Sequence, residues 1–255
     1  MNRIFITGST QGLGLAAART LMDERHEVVL HARSEESAAV LAPFAARAAG
    51  IVIGDLSSAE ETRSVAQQVN NIGPMYAVIH NAGIFGESRR ESTPEGHALS
   101  LAVNTLAPYM LTALIERPRR LVYLSSSMHR GADGSLRDMN WIERCWDRER
   151  AYSESKLYVT ALALAVARRW PDVLSNAVDP GWVPTRMGGL SAPDDLVMGH
   201  RTQTWLAMSG DAAATVSGGY WYHRTRQMPA SETLDAAFQD RLIDRLSELA
   251  GVSLF

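Results

Sequence analysis

Thr7-Gly8-Ser9-Thr10-Gln11-Gly12-Leu13-Gly14 stands between a short apolar run, Ile4 to Ile6, and a stretch of helical character from Gly14 to Arg25. Without side chains, the backbone of such a turn can approach a pyrophosphate. A helix that begins there adds free N–H groups and partial positive charge. The spacing is Gly-x-x-x-Gly-x-Gly rather than Gly-x-Gly-x-x-Gly, and a glycine cluster alone is no more than a tight turn. Its place between a strand and a helix favours a nucleotide-binding loop.

Further apolar runs follow: Val28 to Leu30, Ile51 to Ile53, Ala77 to Ile79, Leu121 to Leu124 and Val173 to Val178. They are unbroken rather than alternating, as in strands buried on both faces of a parallel sheet. Helical stretches such as Ser58 to Asn70 and Gly96 to Glu116 lie between them. The alternation predicts an α/β fold, one doubly wound parallel sheet of about seven strands with helices on both faces. A late strand near Tyr220 to Tyr222 closes the edge. No linker or repeat divides the chain, so residues 1–255 read as one domain. Met128 to Arg150 breaks the rhythm with balanced arginines and acids, and reads as a solvated surface insertion.

Hydrophobic residues make up 46% and charged residues 21%, with a net charge of −3. That gives no reason to expect nucleic acid or an anionic membrane as partner. No apolar run is long enough to span a bilayer. One cysteine, Cys145, forms no internal disulfide, and the N-terminus enters the glycine motif too soon for a secretory signal; a cytoplasmic location is expected. The histidines are scattered, so no metal site is expected. No Gly-x-Ser-x-Gly turn supports a hydrolase.

The motifs continue in order. Asp55-Leu56 follows the third strand and Asn81-Ala82-Gly83 the fourth. Asn104 lies in a helix, and Ser125-Ser126-Ser127 ends the fifth strand. Tyr152-Ser153-Glu154-Ser155-Lys156 opens the next helix, and Pro180-Gly181-Trp182-Val183-Pro184-Thr185 follows the sixth strand. Together with Thr7-Gly8-x-x-x-Gly12-x-Gly14 this series resembles the short-chain dehydrogenase/reductase family. The long segment before Tyr152 and Val122-Tyr123-Leu124-Ser125-Ser126 resemble its retinol-dehydrogenase-like branch. The resemblance implies a Rossmann-type domain that transfers a hydride between a nicotinamide cofactor and a carbonyl or alcohol.

Tyr152 and Lys156, four apart, share one helix face. A phenol with pKa about 10 is a poor base at neutral pH. An ammonium about 4 Å away, at an effective dielectric of about 20, is worth on the order of 4 kcal/mol, enough to lower that pKa by roughly 2–3. Such a pair also arises by chance on an exposed helix. The resemblance implies that Tyr152 is the general acid/base and that Lys156 also holds the nicotinamide ribose. It places the substrate-oxygen donor at Ser126, although three serines stand together. Asn104 resembles the residue that holds a water leading from Lys156; a buried asparagine that satisfies backbone is the alternative. Gly8, Ser9, Thr10, Gly12, Leu13 and Gly14 would cradle the cofactor, with Asn81, Ala82 and Gly83 close by. Asp55 and Leu56 would meet the adenine, unless Asp55 is only a helix cap. Pro180, Gly181, Val183 and Thr185 would clasp the carboxamide, unless they form only a rigid loop.

The second strand ends Leu30-His31-Ala32-Arg33-Ser34, with no carboxylate for the ribose hydroxyls of NAD. Arg33 and Ser34 suit a 2′-phosphate, so NADP(H) is favoured over NAD(H). Gln11 stands where many NADP-using relatives place a second basic residue. A catalytically idle NADP(H)-sensing protein on the same sheet is the alternative, and the presence of Tyr152, Lys156 and Ser126 argues against it. Arg186 to His200 reads as a mostly apolar substrate lid. The helix after Tyr152 is apolar nearly all round, so its outer face needs cover. The polar content of the insertion favours a homodimer as that cover.

Overall fold

The computed structural model describes residues 1–255. In chain order the elements are β1 (Arg3–Ile6), α1 (Gly12–Asp23), β2 (Glu27–Ala32), α2 (Glu35–Ala38), β3 (Gly50–Ile53), α3 (Ala59–Ile72) and β4 (Ala77–His80). Then come α4 (Leu99–Leu101), α5 (Ala107–Leu114), β5 (Arg120–Leu124), α6 (Arg148–Arg169), β6 (Leu174–Asp179), α7 (Leu196–Met208), β7 (Gly219–Tyr222), β8 (Thr225–Gln227) and α8 (Ala236–Ala250). A π-helical turn, Ala102–Leu106, joins α4 to α5.

The strands form one sheet in the order β3-β2-β1-β4-β5-β6-β7-β8. It is parallel through β7, and β8 returns antiparallel. The sheet therefore has eight strands, one more than the sequence predicts. The extra strand is three polar, largely exposed residues with no apolar run to mark it. Its turn uses left-handed His223 (φ 47°) and Arg224 (φ 61°) rather than the Asn-Gly pair that usually signals a two-residue hairpin.

Strand residues alternate between two apolar layers. Phe5, Val29, Val78, Leu121 and Tyr123 face α3, α5, α6 and α8; Ile4, Ile6, Leu30, Ile79 and Val122 face α1 and α7. Both faces are covered, which is why the runs read as unbroken. Strand order reverses between β1 and β4, so the loops after these two strands diverge and leave a crevice at their carboxyl ends.

Asp147 sets the start of α6. Its carboxylate accepts from the N–H groups of Glu149 (3.0 Å) and Arg150 (3.1 Å). Every residue of α6 from Ala151 to Val166 is buried. The cover comes from the same chain. Helix α8 lays Phe238, Leu242, Ile243 and Leu246 into the same core, and the Tyr158 hydroxyl donates to Ser135 O at 2.7 Å. The open face that argues for a twofold partner is thus closed within one chain. Nor is the Met128 to Arg150 segment merely solvated. Met139 and Trp141 within it are 4% and 3% exposed. The Arg144 guanidinium donates twice to the Glu154 carboxylate, at 2.8 and 2.9 Å.

Candidate active site

The glycine turn is built for close approach. Gly8 (φ 63°) and Gly12 (φ 55°) are left-handed, which costs a non-glycine residue steric strain. A Cβ on Gly14 would run into Gly8 O and the Asn81 side-chain amide. Helix α1 opens at Gln11 with no side-chain cap, so N–H groups at its start are left for a ligand anion. Behind the turn lies His31, which sequence reasoning passed over. Its Nδ1 accepts from Gly8 N at 2.9 Å, and its Nε2 meets Gly54 O at 2.9 Å. Burial lowers its pKa, so the neutral ring can accept that N–H. Ser9 and Asn81 also brace the scaffold. Ser9 Oγ accepts from His31 N at 2.7 Å, and the Asn81 amide donates to Thr7 O at 2.9 Å. Ala82 N donates to Thr7 Oγ1 at 2.9 Å, which ties the loop after β4 to the turn after β1.

Asn104 in the π-helical turn and Lys156 on α6 meet over Gly83, with Tyr152 one turn before Lys156 on the same helix and Ser126 after β5 near its phenol. A Cβ on Gly83 would lie 3.3 Å from both Asn104 Oδ1 and Lys156 Nζ. Asn104 holds Ile84 from both sides, accepting from its N–H at 2.8 Å and donating to its carbonyl at 2.9 Å. Lys156 Nζ donates to Leu124 O at 2.8 Å. Among the three serines, Ser125 is buried against Thr160 (2.6 Å) and Ser127 is exposed. Ser126 Oγ accepts from Met128 N at 3.3 Å and is the serine hydroxyl that pulls on the Tyr152 pKa.

Burial pushes the Tyr152 phenol up to about 12, with the Ser126 hydrogen bond pulling the other way. Burial also draws Lys156 down to about 8, opposed by Asp179. The lowering of the Tyr152 pKa expected from the i, i+4 lysine is therefore not found. The ammonium turns to Leu124 O, 5.6 Å from the centre of the tyrosine ring, and desolvation of the phenol outweighs it. A phenol with a high pKa is protonated at neutral pH and can donate.

Asp179, at the end of β6, also went unnoticed in the sequence. Its buried carboxylate accepts from Gly181 N at 2.9 Å and from the Tyr220 hydroxyl at 3.1 Å. It thereby fixes the Pro180-Gly181 turn. Beyond it Thr185 comes against Gly12, while Val183 and Leu13 close around Gly199, so this segment and the glycine turn do meet. Arg33 stands exposed just past β2, and Ser34 caps α2 by accepting from Ser37 N. The Asp55 carboxylate accepts from Ser57 N at 2.9 Å, and the Leu56 side chain belongs to the core. In the lid segment, Leu196 to His200 already form the first turn of α7. His200 Nε2 lies 3.0 Å from Thr20 Oγ1, anchoring that end to α1. Trp182, Met187 and Leu190 are exposed.

A family model described as enoyl-(acyl carrier protein) reductase matches residues 8–216. A short-chain dehydrogenase of Gibberella zeae, chry4, is 39% identical over 259 residues, covering 100% of this chain and 99% of its own length. Retinol dehydrogenase 14 of Mus musculus is 28% identical, over 98% of this chain and 86% of its own length. Among solved structures, an uncharacterized protein from Mycobacterium paratuberculosis superposes with a TM-score of 0.84 at 22% identity, covering 100% of this chain and 95% of that one. A blue fluorescent protein from a metagenomic library, solved with NADPH, gives 0.71 at 20% identity over 87% of this chain and 95% of that one.

Proposed function

This chain belongs to the short-chain dehydrogenase/reductase family, and on that premise we propose that it is an NADP(H)-preferring oxidoreductase acting on a carbonyl or alcohol carbon. The observation that carries the proposal is the meeting of Lys156 and Asn104 over Gly83, with Tyr152 one helical turn from Lys156 and Ser126 near its phenol, beside a glycine turn whose helix has no cap. The bare backbone of Gly8, Gly12 and Gly14 and the open N–H groups of α1 fit the pyrophosphate of a dinucleotide. Ser9, Thr10, Leu13, Asn81, Ala82, Asp55 and Leu56 shape its bed. Arg33, with Ser34 beside it, fits a 2′-phosphate. Pro180, Gly181, Val183 and Thr185 fit the carboxamide end.

When bound, the reduced nicotinamide supplies the hydride. In the reducing direction the Ser126 hydroxyl donates to the substrate oxygen and stabilises the charge that grows there. Tyr152 Oη gives its proton to that oxygen, so the carbonyl carbon gains the hydride and the oxygen becomes a hydroxyl. The phenol is neutral at pH 7, which suits it to this donation. Lys156, charged below about pH 8, stabilises the phenolate that remains. Oxidation of an alcohol runs the same steps backwards.

The experiment is a panel of aldehydes, ketones and secondary alcohols scored by the change in nicotinamide absorbance, with wild-type protein and Tyr152→Phe. Turnover of at least one compound by the wild type, reduced about 10²–10⁴-fold in the variant while cofactor still binds, is expected. Near-normal kcat in the variant would overturn the role of Tyr152.

A further inference from the structure

We infer that the substrate's carbonyl is borne on an aromatic ring, which a wall formed by Phe85 and Trp146 holds beside Tyr152. The inference rests on the oxidoreductase reading above and deepens it. Phe85 follows Ile84, whose backbone Asn104 grips on both sides. The phenylalanine is therefore delivered at a fixed place, with its ring centre 4.9 Å from that of Tyr152 and tilted by 51°. Phe85 contributes to neither apolar core layer. A large aromatic, partly exposed beside a proton donor and outside both core layers, offers its remaining surface to whatever the donor acts on.

Trp146 comes from the segment that precedes α6 and lies against the loop just after Phe85. Its indole N–H donates to Glu87 O at 3.1 Å, so it bridges to the loop that carries Phe85. Gly86 presents bare backbone to it: a Cβ there would lie 3.8 Å from Trp146 Cζ2. Behind Trp146 stands buried Trp141, edge-on at 5.7 Å, and Arg144 lies 3.8 Å above the Trp141 ring. Arg144 is itself locked to Glu154, two residues from Tyr152 on α6. Arg148 lies over the Phe85 ring, its guanidinium carbon 5.2 Å from the ring centre.

The wall is thus backed by the core, against which Trp146 packs, and both its partly exposed members are aromatic. Aliphatic side chains would bury an alicyclic and an aryl group alike. Aromatic rings add a geometry-dependent attraction for another ring, worth about 2- to 12-fold in binding per pair.

The test compares acetophenone with cyclohexyl methyl ketone, both methyl ketones on a six-membered ring of similar size, which differ in aromaticity. Calorimetry with the NADP+-loaded protein gives Kd for each ketone without turnover. NADPH consumption gives kcat/KM. The aryl ketone has a different intrinsic reactivity, so the kinetic readout is how the ratio changes between proteins. The wild type is expected to bind acetophenone on the order of 10-fold more tightly. Phe85→Leu and Trp146→Leu should each cut the preference about 2- to 12-fold in both readouts, and Trp146→Phe should keep most of it. Should Trp146→Leu not fold, Phe85→Leu decides, because that side chain lies outside both core layers. Equal binding of the two ketones by the wild type, or a preference unchanged in the leucine variants, would overturn the aromatic wall. Binding preference without turnover of either ketone, or of any compound in the wider panel, would leave the wall standing and remove the oxidoreductase reading. Turnover of both ketones without preference would do the reverse.

Discussion

Replacing Arg144 by methionine removes the contact that ties the Met128 to Arg150 segment to α6. The Glu154 side chain is 2% exposed and receives two guanidinium hydrogen bonds, a third going to Asp138 O at 2.8 Å, whereas Arg144 is 27% exposed. Removing one partner of a buried pair leaves the other charge unpaired and costs about 3–5 kcal/mol. Arg144 keeps one edge in water, so the lower end, about 3 kcal/mol at pH 7, is expected for Arg144→Met. Part of that loss depends on pH. Burial already raises the Glu154 pKa against the pull of Arg144. Without Arg144 it rises further, so as pH falls the carboxyl of the folded variant is neutralised sooner than in the wild type and the unpaired charge disappears. The destabilisation should therefore shrink from pH 7 to pH 5. Urea unfolding of the wild type, Arg144→Met, Glu154→Gln and the double variant, at both pH values, measures it. The double variant should be more stable at pH 7 than Arg144→Met alone. A loss below about 0.5 kcal/mol, or one equal at the two pH values, would refute the idea that this pair anchors the segment.

Three further outcomes follow from the same geometry. Arg33→Ala should weaken NADPH by roughly 10- to 150-fold and leave NADH nearly unchanged, because a charge-assisted contact is worth about 1.5–3 kcal/mol. Equal weakening in a nicotinamide-fluorescence titration would remove Arg33 from the phosphate site. For the reducing reaction, kcat/KM should fall as pH rises past about 8, where Lys156 loses its proton. Asp179 raises that pKa, so Asp179→Asn should move the fall to lower pH; an unmoved alkaline limb would contradict the assignment. Light scattering at micromolar concentration should give a mass near the 27.9 kDa of one chain, since α8 and the segment before α6 cover the face that a partner would use. A mass of two chains would show pairing elsewhere.

Much of this was legible in the residues themselves. The unbroken apolar runs mark strands covered on both sides, and the glycine spacing marks the turn after the first of them. The i, i+4 spacing of Tyr152 and Lys156 puts both on one face of α6. What was hidden depends on partners far away in the chain. Nothing in a charge-balanced stretch tells that Arg144 meets Glu154 in a buried helix, or that Trp141 enters the core. An all-round apolar helix does not say whether its cover comes from α8 or from a second copy. The His31 ring looks like any strand-end residue until its nitrogens meet Gly8 N and Gly54 O. The Tyr152 pKa was misjudged for a related reason, since spacing fixes proximity to Lys156 but carries no information about burial.

The most direct measurement of the central claim follows the hydride itself. NADPH carrying deuterium at its transferable position is incubated with the best ketone and wild-type protein or Tyr152→Phe, and the alcohol is analysed by mass spectrometry. The wild type should deliver one deuterium to the carbinol carbon, and the variant should form less product by about 10²–10⁴-fold. Alcohol formed without deuterium, or equal yields from the two proteins, would contradict hydride transfer assisted by Tyr152.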